Sequence, residues 1–284
     1  MSIPRIWFIT GTSSGFGRLM TENALGHGDI VVATARKPEA LDDLKSQYPS
    51  SKLLVLPLDV TNNRQIKDVF SKAKEAFGRI DVVFNIAGRG ILGEAEGTPE
   101  DEARALFDTN FWGATNVSRE AVRFFREENK PAGGRLLVNS SKVGIQAVPF
   151  AGYYSATKHA LEGITKALAQ ELDPAWNIKV TLVQPGFFRT DVGAKSVVFP
   201  IHPAYTNPTL PGTIFRAFLA SGKEIGSDTA QGVEKIYELA CLSEPPMRLA
   251  LGIDAIRDIR AELKGVEADV GKYESWSEGL VLDT

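Results

Sequence analysis

Short unbroken apolar runs alternate with amphipathic stretches along most of this chain. Ile6-Trp7-Phe8-Ile9, Ile30-Val31-Val32-Ala33-Thr34-Ala35 and residues 52–58, 80–84, 134–139 and 178–183 have the make-up of strands buried on both faces. Residues 151–172 contain no internal proline, and Ala156, Ala160, Leu161, Ile164, Ala167, Leu168 and Leu172 recur at three- and four-residue steps, which predicts an amphipathic helix. Further helices are predicted over 19–25, over 38–47, and up to Phe77 from a cap at Thr61 or Asn62. Another starts at Thr98-Pro99-Glu100 and carries Ala103, Leu106, Phe107, Phe111 and Val117 inward; the last two span 228–242 and 254–264, around a short strand near 248–251. Such alternation implies an α/β fold, a single doubly wound parallel sheet with helices on both faces, occupying 1–284 as one domain.

The rhythm stops between Asp191 and Ser227. Pro200, Pro203, Pro208 and Pro211 accompany Phe199, Tyr205, Phe215 and Phe218 there, so an irregular substrate lid is expected over 188–227. Its aromatics serve either an apolar substrate or packing on the core or on a partner subunit. From 265 to 284 an acidic tail reads as draped over the surface or held by a partner.

Composition narrows the function classes. A net charge of −3 offers no basic surplus for nucleic acid or an anionic membrane surface. Cys241 is the single cysteine, which excludes an internal disulfide and a cysteine metal cage, and His27, His159 and His202 are too dispersed for a local metal motif. No metal site is expected. No run approaches the ~18 apolar residues of a membrane span, and the amino terminus lacks the pattern of a secretory signal. A cytoplasmic location follows as the expectation.

The candidate chemistry lies where strands end. Ile6-Trp7-Phe8-Ile9 runs straight into Thr10-Gly11-Thr12-Ser13-Ser14-Gly15-Phe16-Gly17 and then a helix. Strand, glycine-rich turn and helix present bare N–H groups and a helix amino end to a phosphate, although G-x-x-x-G-x-G differs from the general G-x-G-x-x-G fingerprint. Arg36 ends the next strand, where an acid would grip a ribose 2′-hydroxyl and an arginine a 2′-phosphate. No acid lies between Ile30 and Pro38, which favours NADP(H) over NAD(H). Asp59 is placed to accept from an adenine amino group or to cap a helix. The small residues after Asn85 would let a ribose approach the backbone. Asn110, a poor helix-interior residue among core positions, asks for a reason. Ser140 and Ser141 stand at a strand's carboxyl end, the mouth of an open parallel sheet. Tyr154 and Lys158 share one face of the 151–172 helix, and an ammonium one turn from a phenol is expected to favour the phenolate. That spacing alone carries little, since Tyr48 and Lys52 repeat it across Pro49, where no helix can form.

Together, in this order, Thr10 to Gly17, Asp59-Val60, Asn85 to Gly88, Asn110, Ser141, Tyr154 with Lys158, and Pro185-Gly186 through Thr190 resemble the short-chain dehydrogenase/reductase family over residues 5–252. The resemblance implies a Rossmann-like sheet of about seven strands in the order 3-2-1-4-5-6-7. It implies a catalytic tetrad. Tyr154 would be the acid/base, Lys158 would lower the Tyr154 pKa and hold the ribose, Ser141 would bind the substrate oxygen, and Asn110 would anchor a water chain. Cofactor contacts are implied at Gly11, Ser13, Ser14, Phe16 and Gly17 for phosphates, Arg36 for NADP(H), and Asp59 and Val60 for adenine. Asn85, Ala87 and Gly88 would line the ribose, and Pro185, Gly186, Phe188 and Thr190 the carboxamide. Ile86 departs from the pattern, many members having a second asparagine there. Val143, Val148, Phe187, Phe199 and Tyr205 would line the substrate space. The implied reaction is NADPH-dependent reduction of a ketone or aldehyde, reversible as alcohol oxidation, on a lipophilic or aromatic small molecule. Two alternatives are an NADP-binding redox-sensing regulator without turnover and an imine reductase or dehydratase on the same scaffold. A homodimer or homotetramer is implied, joined through the helices after Thr98 and Ala151.

Overall fold

The computed structural model describes residues 3–190, 196–221 and 226–280. In chain order the strands are β1 (Ile6–Ile9), β2 (Ile30–Ala35), β3 (Leu53–Pro57), β4 (Val82–Asn85), β5 (Ile91–Leu92), β6 (Gly134–Asn139), β7 (Ile178–Pro185), β8 (Val197–Val198) and β9 (Arg248–Leu251). Seven form one parallel sheet in the order β3-β2-β1-β4-β6-β7-β9, while β5 and β8 pair separately. With that small pair set aside, the order is the expected one. The helices are α1 (Gly15–Gly26), α2 (Asp42–Gln47), α3 (Asn63–Phe77), α4 (Glu100–Phe107), α5 (Ala114–Glu127), α6 (Gly152–Glu171), α7 (Pro211–Ala220), α8 (Thr229–Cys241) and α9 (Ile253–Tyr273).

Alternate residues of each strand face opposite layers. Phe8, Val32, Val83, Leu136 and Leu182 pack with Ile66 and Phe70 of α3, Val117 and Phe124 of α5 and Leu161 of α6. Trp7, Ile9, Val31, Phe84 and Val183 pack on the other face with Met20 of α1 and Val233 and Ile236 of α8. Both faces are covered, which explains the unbroken apolar runs. Asn62 is the cap of α3: its side-chain oxygen accepts from the amides of Arg64 at 3.0 Å and Gln65 at 3.2 Å.

Three expectations are revised. β7 runs on past Val183; Pro185 is its last residue and pairs with Leu251 of β9, beyond the last β6 partner at Val183, so its missing donor breaks no ladder bond. The lid holds regular structure, because Pro211 starts α7 and Val197-Val198 pair with β5; residues 191–195 and 222–225 of it lie outside the described residues. The tail boundary also moves, since α9 runs on to Tyr273, with 281–284 outside the description. Among the described residues no helix is long and apolar enough to cross a membrane.

Candidate active site

β1 has β2 on one side and β4 on the other, so the direction in which successive strands are added reverses here and a crevice opens at the strands' carboxyl ends. The turn from Thr10 to Gly17 fills its floor. The buried Thr10 hydroxyl accepts from the amides of Ile86 and Ala87, both at 2.9 Å, tying the turn to the loop after β4. Gly11 has a φ of 67°, and a Cβ there would lie 2.9 Å from the Ala87 Cα. On Gly17 a Cβ would come within 2.4 Å of the Gly11 carbonyl oxygen. Ser14, the N-cap of α1, makes no side-chain capping bond, and no acid stands in the first turn. A positive helix end without a side-chain partner, over a cradle that one methyl would fill, fits the phosphates of a dinucleotide. Ser13 is exposed beside it, and Thr190 lies 3.6 Å from where a Cβ on Gly15 would stand.

Around this floor the expected cofactor residues divide. Arg36 is exposed, with no hydrogen bond or ion pair among the described residues. Asp59 accepts from the Thr61 amide at 3.0 Å and hydroxyl at 2.7 Å, a local turn separate from the Asn62 cap, and buried Val60 touches the backbone at Gly113. Gly88 is exposed, 3.2 Å from the Asn110 Oδ1 if given a Cβ. The side chain of Asn85 is buried, donating to the Ala114 carbonyl at 2.7 Å and the Ser118 hydroxyl at 3.0 Å; it bolts β4 to α5 and leaves only its main chain for a ribose. The Phe188 ring likewise packs into the body, 5.0 Å from Phe16 and against Gly232 of α8. Gly186 donates to the Leu251 carbonyl at 2.8 Å.

The four candidate catalytic residues come from separate elements. Asn110 sits in a π-helical turn, Asp108–Gly113, between α4 and α5. Its Oδ1 accepts from the Arg89 amide at 2.9 Å and its Nδ2 donates to the Arg89 carbonyl at 2.8 Å. That is the reason for an asparagine there: it splints the Gly88-Arg89 loop, so its amide is committed to backbone. Tyr154 and Lys158 occupy successive turns of α6, with the Lys158 Nζ 5.8 Å from the phenol ring centre and donating to the Asn139 carbonyl at 2.7 Å. Ser141, past the end of β6, donates its hydroxyl to the Pro185 carbonyl at 3.4 Å and accepts from the Val143 amide at 3.3 Å, close enough to the Tyr154 phenol to influence its titration.

The electrostatics reverse one expectation. Burial pushes the Tyr154 phenol up to about 12, against the opposing pull of the Ser141 hydrogen bond. Burial also draws Lys158 down to about 8, with the Glu162 carboxylate opposing. The neighbouring ammonium was expected to favour the phenolate. In this interior desolvation outweighs it, because the same surroundings that raise the phenol draw the lysine toward neutrality. Tyr154 is half-buried as a residue, but protein surrounds its titrating end, so the upward direction holds. At neutral pH the phenol is therefore a proton donor.

A family model for short chain dehydrogenases matches residues 5–198. The chain belongs to the short-chain dehydrogenase family. It is an oxidoreductase by that membership. An oxidoreductase of Schizosaccharomyces pombe is 33% identical over 276 residues, 97% of this chain and 91% of its own. Human (Homo sapiens) retinol dehydrogenase 8 is 31% identical over 259 residues, 86% of this chain and 80% of its own. A solved short-chain dehydrogenase from Streptomyces avermitilis superposes with a TM-score of 0.88 at 36% identity, over 99% of this chain and 100% of that one. Two more distant solved members share the fold, each 22% identical. One, from Burkholderia phymatum, holds NAD (TM-score 0.78, 94% and 95% covered); the other, from Burkholderia cenocepacia, holds NADP (TM-score 0.73, 96% and 98%).

In this short-chain dehydrogenase an aromatic wall between the start of α6 and the lid is assembled by residues that periodicity did not single out. Phe150 has a φ of 73°, an uncommon conformation for a bulky residue, just before α6. Its ring lies under the Arg216 guanidinium at 4.2 Å and 6.0 Å from Phe215, which in turn lies 6.4 Å from Phe187 and 6.3 Å from Phe218. Arg216 of α7 bridges to buried Glu94 at 2.8 Å and donates to the Phe199 carbonyl at 2.7 Å. Burial alone would raise the Glu94 carboxyl, yet the Arg216 hydrogen bond holds it below its ordinary range. Phe199 also donates from its amide to the Leu92 carbonyl at 2.8 Å, and the Tyr205 hydroxyl donates to Glu96 at 2.9 Å; these two expected substrate residues seat the lid on the β5 loop. Val143 is buried and Val148 half-buried between Ser141 and α6.

A second set of missed residues braces the cleft from behind. The Asp254 Oδ2 accepts from the Phe187 amide at 2.9 Å and from the Lys142 Nζ at 2.9 Å, and Lys142 also meets Asp258 at 2.6 Å. Lys142 lies 4.4 Å from the Phe187 ring centre. One carboxylate at the start of α9 thus ties the Ser141 loop to the loop after β7. An acid in a helix's first turn reads from sequence only as a favourable dipole contact.

Proposed function

We propose that this short-chain dehydrogenase binds NADP(H) and reduces the carbonyl of a ketone or aldehyde on a lipophilic or aromatic small molecule, oxidising the alcohol in reverse. The observation that carries the reading is a neutral phenol beside Ser141 and one helical turn from Lys158, at the mouth of the switch-point crevice. Arg36, exposed and unpaired among the described residues at the end of β2, supports NADP(H) through its fit to a 2′-phosphate. The Phe150, Phe187, Phe215 and Phe218 wall supports an apolar substrate. A lipophilic alcohol is also what the name of the human retinol dehydrogenase relative states for that protein. An exposed free Cys241 accords with a reducing cytoplasm, and a homodimer or homotetramer is the assembly the family resemblance supports.

A nicotinamide cofactor held over the Thr10 to Gly17 turn would supply or accept the hydride. Ser141 orients the carbonyl oxygen, and Tyr154 gives that oxygen its proton, which the raised phenol keeps available at neutral pH. Lys158, tied to the Asn139 carbonyl, would hold the ribose hydroxyls and position Tyr154 from the next helical turn. Asn110 keeps the Gly88-Arg89 loop in place beside them. The test is Tyr154→Phe, which deletes the proton and keeps the ring. NADPH binding should persist while carbonyl-dependent NADPH oxidation is lost; a variant retaining most of its turnover rejects this mechanism. Tight NADPH binding by the wild type with no turnover on a broad carbonyl and alcohol panel would favour a sensor.

A further inference from the structure

α9 is longer than its packing on the body requires. Ala255 in its first turn is fully buried, and Asp254 and Asp258 hold Lys142. From 261 to 280 every residue except Glu262 is exposed. A helical extension without tertiary contacts is marginal in water, so its apolar side calls for a cover. That side is ordered: Ile256, Ile259, Leu263, Val266, Val270 and Tyr273 follow alternating three- and four-residue steps, the a/d spacing of a heptad seam. Leu263, Val266, Val270 and Tyr273 are between 46% and 62% exposed.

We propose that this face pairs antiparallel with the same face of a second copy of the chain. The seam closes on itself in that direction. Ile256 meets the partner's Tyr273, Ile259 the partner's Val270 and Leu263 the partner's Val266, and the two-fold axis generates the remaining layers so that all six seam positions are paired. Charge selects the same direction. Arg257, Arg260 and Lys264 lie along one flank in the first half of α9, and Glu267 and Glu274 along that flank in the second half, so antiparallel copies set cations against carboxylates. A hollow lined by Ile253, Ile256, Arg257, Arg260, Ala261 and Lys264 runs along the basic portion and receives those acids. A parallel pair would place Glu262 beside the partner's Glu267 and Asp269 beside the partner's Glu274, like charges at every step. On the other flank of the antiparallel pair Glu262 faces the partner's Asp269, a repulsion that the basic flank outweighs. This interface is separate from α4, α5 and α6, and it does not depend on the catalytic reading.

Disulfide trapping tests it on the full chain. In a Cys241→Ser background, Ile259→Cys and Val270→Cys are introduced singly and together. Eleven residues of helix separate them by about 16 Å, too far to bridge within one chain. Mild oxidation should give a covalent dimer in the double variant and none in either single variant. In parallel, Leu263→Glu should weaken self-association at least tenfold by analytical ultracentrifugation while NADPH oxidation per subunit is retained. No cross-link in the double variant overturns the proposal, as does linkage in the single variants, which marks a parallel pair. Binding of the wild-type chain to phosphatidylcholine–phosphatidylglycerol vesicles in place of dimerisation overturns it too.

Discussion

The glycine-turn side and the lid side of the crevice are built by opposite means. On the first, main chain is held at close quarters: the Thr10 hydroxyl receives the Ile86 and Ala87 amides, and Gly17 leaves no space for one more carbon against the Gly11 carbonyl. On the second, side chains reach across long stretches of sequence, as Arg216 does to Glu94 and Phe215 to Phe150. The first surface has one fixed shape and tolerates no added atom. The second is a set of exchangeable contacts laid over a finished sheet, so its shape changes without disturbing the fold.

The largest effect should come where the two sides meet. Tyr154→Phe is expected to lower kcat for carbonyl reduction by about 10²–10⁴-fold, with cofactor affinity by fluorescence titration nearly unchanged. Next, Gly17→Ala should weaken cofactor binding on the order of 100-fold or more, because its Cβ strikes backbone that has no free rotamer to give way; near-normal affinity would show that the floor is softer than drawn. On the lid side, Glu94→Gln strands the Arg216 charge. It should speed hydrogen exchange of the α7 amides by about 100-fold, matching the ~3 kcal/mol of a broken buried pair, while exchange in β1 and β4 stays as it was. Arg36→Ala should cost roughly tenfold in NADPH affinity and leave NADH unchanged; equal losses would remove the cofactor preference.

The smallest test is pH. Reduction consumes the Tyr154 proton, present at every pH below about 12, whereas oxidation needs the phenolate, whose share grows tenfold per unit up to that value. Oxidation should therefore accelerate with pH while the proton-donating step of reduction stays flat. Separately, Lys158 loses its charge as pH rises through about 8, so kcat/KM for the cofactor should fall there in both directions. Pre-steady-state rates and pH profiles measured in each direction separate the two.

Legibility follows the same division. The strand and helix alternation, the glycine turn, the Asn110 anomaly and the Tyr154 and Lys158 spacing could all be read, because each is a short pattern whose meaning is local; the strand order came only from the family resemblance. Asp59 and Asn62 could not be told apart as caps until the structure showed Asn62 holding the Arg64 and Gln65 amides. Asn85 and Phe188 were assigned to the cofactor by position in a motif, but position did not reveal that α5 and α8 claim their side chains. Glu94, Phe150, Arg216 and Asp254 carry no local signal, since each matters through a partner far away in the chain.

Apolar periodicity and glycine placement by themselves determined the sheet, its helical layers and the side on which phosphates are met, since backbone geometry leaves few ways to bury such runs. Only the tertiary structure decided the charge states at the centre and the aromatic wall under the lid. Desolvation and long-range pairing depend on which segments come together, and it was burial, reckoned over all neighbours at once, that kept the Tyr154 phenol protonated beside a lysine.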